Sequence, residues 1–412
     1  MAESKSPLFN RTYLKIIIWV IAIAIVLLTA GQNRSPDYLT IDRYENSPLY
    51  STQQNDATYL QIGLLFRTGA AISNEEQLLQ TLLLQTIQQR LNNFAEQPLF
   101  TRLEAHLKAE ATPDRIKISL AIPAKYNAQP QDILKVTRSL LQQLQEFAPP
   151  ETLEQRWNRL EAELYLSQKD PENQLLNQFF NQIAGPTSVH PIQRFSGFYR
   201  NSISPTTLTL TLQGPELETL PQLLSSLLPG YQSGSNLLTT AISPEFQQLK
   251  PTGKQSYLLT GQALPGRQQE NFALELLAVR TLQQLLNQPG VPESRLLWKS
   301  LDKQGYLAII LHGSKISADS RITPIMQSVL GQLDDRLIDA TRTQLQDNYK
   351  QQMEQTDAQL GLLDTIAFYQ LPVDYLASFE KQLTRTDNQH VRELITQLLT
   401  GPNQYQLLLP AY

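Results

Sequence analysis

Tyr59-Leu-Gln-Ile-Gly63 returns later in the chain as Tyr257-Leu-Leu-Thr-Gly261. The first copy continues as the apolar run Leu64-Leu-Phe66, which reads as a strand. Ser73-Asn-Glu-Glu76 then has the form of a capping box, and Leu78, Leu79, Leu82, Leu83, Ile87 and Leu91 repeat at helical spacing. The second copy also leads into a helical pattern. There Arg280-Thr-Leu-Gln-Gln-Leu-Leu-Asn287 echoes Gln85-Thr-Ile-Gln-Gln-Arg-Leu-Asn92, and Ser294-Arg-Leu296 echoes Thr101-Arg-Leu103, at an offset of about 195 residues. Three echoes in one order predict a duplicated α+β unit, each copy a mostly antiparallel sheet packed with helices.

Between the echoes, Thr101–Ala111 and Arg115–Ile122 read as paired strands, Gln131–Phe147 as an amphipathic helix, and Pro149-Pro150 as the start of a helix through Leu166. Thr206–Leu212 alternates as a half-buried strand should, and Pro215–Leu228 reads as a helix. In the second copy Tyr306–His312 reads as a strand, with helices around Pro324–Leu333, Leu337–Gln355 and His390–Leu399 and a last strand at Gln404–Leu409. Little room is left after His312 for a further full strand, so the second sheet is expected to be incomplete.

The chain has 412 residues, a formal net charge of −4 and no Cys. Thiolate metal sites, disulfides and thiol nucleophiles are thereby excluded, and the acidic balance argues against nucleic acid. Ile16–Ala30 is an uninterrupted apolar run behind Lys5, Arg11 and Lys15. With Trp19 near the interface and Lys15 snorkelling, it reads as an uncleaved membrane anchor; Leu28 spoils a signal cleavage site ending at Ala30. The positive flank keeps the short tail inside and exports the acidic body, in a bacterium to the periplasm. The expected organisation is a cytoplasmic tail at 1–13, an anchor at 14–31, a first unit at 36–235 and a second at 250–412.

The order of elements resembles the pitrilysin or insulinase-type zinc metallopeptidases, with mitochondrial processing peptidase and the respiratory-complex core proteins. The resemblance rests on Phe66-Arg-Thr-Gly-Ala70, on Gly214-Pro-Glu-Leu-Glu-Thr-Leu-Pro-Gln-Leu, and on Ser294-Arg-Leu-Leu-Trp-Lys-Ser-Leu-Asp-Lys-Gln-Gly305. The last of these looks like the family's helix running into a glycine and a strand. Active members carry H-x-x-E-H on the first helix, two zinc ligands and a base. The family spacing from Gly69 places that motif on Leu82-Leu-Leu-Gln-Thr86, where Leu82 and Thr86 replace the His ligands and Gln85 the base. No His occurs before His106. The third ligand position falls on Glu161, with Glu163 next; the second-half Arg and Tyr of active relatives read here as Leu301 and Ala308, with Tyr306 two residues early as a possible substrate-side contact.

What the resemblance implies is a membrane-anchored periplasmic, inactive homologue that pairs with an H-x-x-E-H peptidase and helps hold peptides, with no cofactor. Two alternatives stand beside it: a zinc peptidase with a displaced site using His106 and Glu161, or a stand-alone peptide-binding scaffold. The remaining chemistry is sparse. His106, His190, His312 and His390 are scattered; Glu104, His106 and Lys108 would share a strand face; and Glu75-Glu76, Asp334-Asp335 and Glu161/Glu163 read as helix surface.

Overall fold

The computed structural model describes residues 38–412 apart from 45–46, 128, 148–151, 186–189, 216, 230–244, 252 and 268–270. In the first half the elements run β1 (Asp42–Arg43), β2 (Leu49–Gln53), β3 (Tyr59–Arg67), α1 (Asn74–Ala95), α2 (Pro98–Arg102), β4 (His106–Thr112) and β5 (Arg115–Pro123). Four helices follow, α3 (Pro130–Gln145), α4 (Leu153–Ser167), α5 (Pro171–Ala184) and α6 (Pro191–Ser202), then β6 (Leu208–Gly214) and α7 (Leu220–Ser225). The second half runs β7 (Glu245–Gln248), β8 (Tyr257–Pro265), α8 (Phe272–Leu286), β9 (Glu293–Lys299) and β10 (Gln304–His312). It closes with α9 (Ile322–Leu330), α10 (Asp335–Met353), α11 (Thr356–Phe368), α12 (Tyr375–Arg385), α13 (Asn388–Thr400) and β11 (Tyr405–Leu409).

The strands form two sheets, in the orders β1-β2-β6-β3-β5-β4 and β7-β11-β8-β10-β9. Position for position, β2 to β6 of the first sheet are matched in the second, and in both the one parallel pair is the same: β2 with β6, β7 with β11. The second sheet has five strands to the first sheet's six, lacking a counterpart of β1; the place of β6 is filled by β11 and not by a strand directly after His312.

Local chemistry sets the helix starts. Ser73 accepts from the Glu76 amide at 3.2 Å and the Glu76 carboxylate accepts from the Ser73 amide at 3.0 Å, the reciprocal capping box read from the sequence. Asp170 caps α5 ahead of Pro171, and Asp334 caps α10 by accepting from the Leu337 amide at 2.8 Å. One core lies between the first sheet and α1, α3, α4 and α6; another lies between the second sheet and α8, α9, α10, α12 and α13.

The other faces of the sheets are covered by an exchange. Helix α5 leaves the first half and lays Leu175, Phe179, Phe180 and Ile183 on Leu259, Tyr306, Ala308 and Tyr405 of the second sheet. Helix α11 leaves the second half and packs on β2, β3 and β6, where Leu363, Ile366 and Ala367 share a core with Tyr50 and Leu65. This is why β6 is buried on both faces, although its alternation suggested one wet side.

Other expectations are corrected. Thr101–Leu103 belongs to the end of α2, nucleated by Pro98, and Glu104 turns the chain with φ 48° before the strand begins at His106. Glu104 is therefore not on a strand face with His106 and Lys108. Pro205–Thr207 is a tight helical turn ahead of β6, and α7 is confined to Leu220–Ser225. Ser294–Lys299 is a strand, hairpinned to β10, where the resemblance implied a helix, so the third echo joins unlike elements. Pro149, Pro150 and the anchor residues Ile16, Trp19 and Ala30 lie outside the described residues. Among the described residues no helix is long and apolar enough to cross a membrane.

Candidate functional site

The window that would carry zinc lies in the middle of α1, held rigid by its cap and by burial. Leu82 and Thr86 are 0% and 1% exposed and face the first core; the Thr86 hydroxyl donates back to the Leu82 carbonyl at 2.8 Å. Gln85, at the base position, is half-buried. Helix α4 does pack beside α1, with Arg156 donating to Gln89 at 2.8 Å, but Glu161 is exposed, and Glu163 is exposed and pairs with Arg159 at 3.0 Å.

The histidines are not brought together. His106 is exposed at the start of β4, and His190 is an exposed residue ahead of α6 whose ring meets Trp157. His312 sits 3.4 Å from Glu293 across the β9–β10 pair, and His390 is exposed on α13. Among the described residues no three His, Asp or Glu side chains are grouped to hold a metal ion. The paired acids have structural partners: Glu75 meets Arg194 at 2.6 Å, Glu76 caps α1, Asp334 caps α10, and Asp335 meets Arg392 at 2.9 Å.

Tyr306 lies beneath α5, its ring edge-on to Phe180 at 5.0 Å, and burial pushes its hydroxyl up to about 12. Leu301 and Ala308 belong to the same buried cluster. A peptide would have to displace Phe180 to reach Tyr306.

The internal duplication shows a second face of the same geometry. Strand β8, its following loop and α8 run in step with β3, its loop and α1, so Leu82, Gln85 and Thr86 fall opposite Arg280, Gln283 and Gln284, and the second echo, which matched Arg280 to Gln85, is three residues out of register. Those three line an open groove of about 630 Å³ between α8 and α10, floored by Phe272, Tyr349 and Phe379.

Polar chemistry concentrates instead where the two halves meet. Strands β3 and β8 end there at Arg67 and just before Arg267, and the β4–β5 and β9–β10 turns bring Asp114 and Asp302 to the same point. Arg67 Nε stands 3.6 Å from Asp302, Nη1 donates to Thr209 at 3.2 Å, and Nη2 donates to the Phe368 carbonyl. Asp114 is almost fully buried: its Oδ2 accepts from the Tyr369 hydroxyl at 2.6 Å and from the Asp302 amide at 3.3 Å, and its Oδ1 from Thr112 at 3.1 Å. Burial raises Asp302, Arg67 lowers it, and Asp114 raises it further. Three guanidinium groups surround the Phe368-Tyr369 rings: Arg67 and Arg115 over Phe368 at 4.7 and 4.6 Å, and Arg267 over Tyr369 at 4.4 Å. A cavity of about 500 Å³ opens on this seam.

Of these residues the sequence offered only Arg67, inside the Phe66-Arg-Thr-Gly-Ala70 motif, and Asp302, inside the second-half motif. A further signal was available in the placement of an Asp in each hairpin turn.

No protein-family model matches the chain, and no curated protein matches it. Solved structures do. A peptidase M16 inactive domain from Pseudomonas fluorescens superposes with a TM-score of 0.65 at 13% identity, over 91% of this chain and 98% of that one. A protease from Helicobacter pylori gives 0.60 at 11% identity, over 92% and 100%. The periplasmic protease PqqL from Escherichia coli gives 0.62 at 12% identity, over 92% of this chain but 46% of that one. Two sheets with matching strand order and near-complete overlap with such structures mean that this chain has the fold of the pitrilysin/insulinase-type, or M16, peptidases.

Proposed function

We propose that the chain is a catalytically silent peptidase homologue, tethered by Ile16–Ala30 with its body in the periplasm, that pairs with an H-x-x-E-H-bearing homologue and helps enclose its peptide substrates. The observation that carries this is the filling of the zinc window: Leu82 and Thr86 are core residues of α1, and leucine supplies no ligand. The PqqL match supports a partner, because this whole chain accounts for 46% of that protease and a second body of similar size would supply the rest. The name of the Pseudomonas structure, an inactive domain, supports silence, and the periplasmic origin of PqqL supports the compartment. The displaced zinc site lacks support, since His106 and Glu161 both face solvent from separate elements.

The test is affinity purification of the full-length protein from detergent-solubilised membranes, with mass spectrometry of whatever accompanies it in near-equal amount. An H-x-x-E-H protein is expected. Recovery of the chain alone overturns the paired reading and leaves the stand-alone binder.

A further inference from the structure

We propose that the cavity on the seam between the two halves is a carboxylate site that takes the free C-terminal end of a peptide. It rests on the reading of this chain as a holder of peptides and goes beyond it in naming where, and by which group, a peptide is held.

Charge is the first argument. Within an acidic chain, the seam gathers Arg67, Arg115, Arg267 and Lys303 against Asp114 and Asp302, with the buried Glu275 carboxyl also beside Arg267. The acceptors are already committed. Asp114 takes three hydrogen bonds, from Thr112, Tyr369 and the Asp302 amide, and Asp302 faces Arg67. The donors are not. On the cavity wall Arg267 Nε is buried without a hydrogen-bond partner, as is Arg115 Nη1 away from the wall, and Lys303, exposed at the rim, makes no ion pair among the described residues. Buried N–H groups are ordinarily satisfied, so the seam is short of a hydrogen-bond acceptor.

Geometry is the second. Arg267 is held between two rings, 3.7 Å from the Phe272 centroid and 4.4 Å from that of Tyr369. Tyr375 takes part of its edge and Glu275 stands near it, so Nε is the position left for a ligand, and a guanidinium edge is the shape that pairs with a planar carboxylate. Asn201 and Thr206 contribute amide and hydroxyl groups to the wall, suited to main-chain amides and indifferent to side-chain identity. About 500 Å³ exceeds what a bare inorganic anion needs and falls in the range of small-ligand pockets. The site draws on both halves, so a ligand there bridges them.

The experiment uses the purified full chain in detergent, without a partner, in equilibrium dialysis against a randomised tripeptide pool, once as free acids and once as C-terminal amides. The expected result is retention of the acids, amides at least tenfold weaker, and acid binding lost in Arg267→Gln and reduced several-fold in Lys303→Gln; unchanged melting temperature in Lys303→Gln separates ligand contact from folding. Equal retention of acids and amides overturns the carboxylate site while leaving peptide holding intact. Retention of neither overturns both the site and peptide holding by this chain alone, and acid binding indifferent to both substitutions moves the site elsewhere. Inorganic phosphate competing at the concentration that suffices for the acids would assign the cavity to free phosphate and overturn the peptide assignment.

Discussion

Gly63 and Gly261 occupy the same place in equivalent strands, the fifth residue of β3 and of β8, and each lies beneath a helix sent across from the other half. A Cβ on Gly63 would stand 2.2 Å from Thr211 Oγ1 and 3.3 Å from Asp364 of α11; a Cβ on Gly261 would stand 2.5 Å from the Phe179 ring of α5. The echo Tyr-Leu-x-x-Gly thus marks a pair of docking places for exchanged helices as well as a repeated strand. At the first, Thr211 donates to Asp364 at 2.7 Å and Lys117 pairs with the same carboxylate.

Alanine at these glycines should therefore loosen the association of the halves. Phe179 is fully buried among Tyr306, Phe180 and Tyr405 and has nowhere to go, whereas the Thr211 hydroxyl can rotate at the loss of one hydrogen bond. Gly261→Ala should cost about 2–3 kcal/mol and Gly63→Ala about 1–2 kcal/mol, typical of overpacking, read as a fall in thermal midpoint. A larger loss for Gly63→Ala would contradict this ordering.

Why the exchange was invisible while the units were not follows from which contacts are local. The α1 cap, the β5 and β10 strands and the α3 and α10 helices announce themselves through their own period and termini. Helix α5 has an apolar stripe too, Leu175, Leu176, Phe179, Phe180 and Ile183, but periodicity does not name the surface that receives it. Strand β9 has no period of its own to read, since Leu296, Leu297 and Trp298 follow one another without alternation, and the family pattern implied a helix there. The seam draws on Arg67, Asp114, Arg267, Asp302 and Tyr369, spread over most of the chain, so only Arg67 and Asp302 stood in segments singled out beforehand. The loss of the zinc window, by contrast, required only residue identities.

Tyr369→Phe tests the seam itself. The hydroxyl donates to Asp114 at 2.6 Å, and burial followed by Asp114 holds that hydroxyl protonated far above the usual tyrosine range. Removing it leaves a buried carboxylate one donor short, a loss of about 1.5–3 kcal/mol. Hydrogen exchange should rise in α11 and at the β9–β10 turn before it rises in α3. Uniform exchange across both halves would mean that the seam is not where they are joined.

Glu275 gives the fold an inverted response to pH. Burial raises its carboxyl to about 7, with Arg267 pulling the other way. A carboxyl whose folded value lies above its unfolded one is most compatible with folding when protonated, so stability is lost as pH rises from about 4.5 through 7. Glu275→Gln should melt higher than the parent at pH 8, by on the order of 1–2 kcal/mol after allowance for its partial exposure, and match it near pH 5. Convergence at pH 8 with divergence at pH 5 would reverse the sign and refute the assignment.

Rebuilding the motif should not rebuild a zinc site. In Leu82→His, Gln85→Glu, Thr86→His, two imidazoles enter positions that are 0% and 1% exposed and packed by the first core, while Glu161 points away into solvent. Each buried ring nitrogen needs a partner that the leucine-rich surroundings do not supply. The triple variant should lose about 3–5 kcal/mol, the scale of polar groups forced into a core, and its melting temperature should not respond to added zinc. Thr86→Val is the control: it deletes a hydroxyl bonded only to the helix's own Leu82 carbonyl and should stay within about 1 kcal/mol of the parent. A zinc-dependent rise in the triple variant's melting temperature would instead show that α4 can swing Glu161 inward, and that the chain remains a few substitutions away from a metal centre.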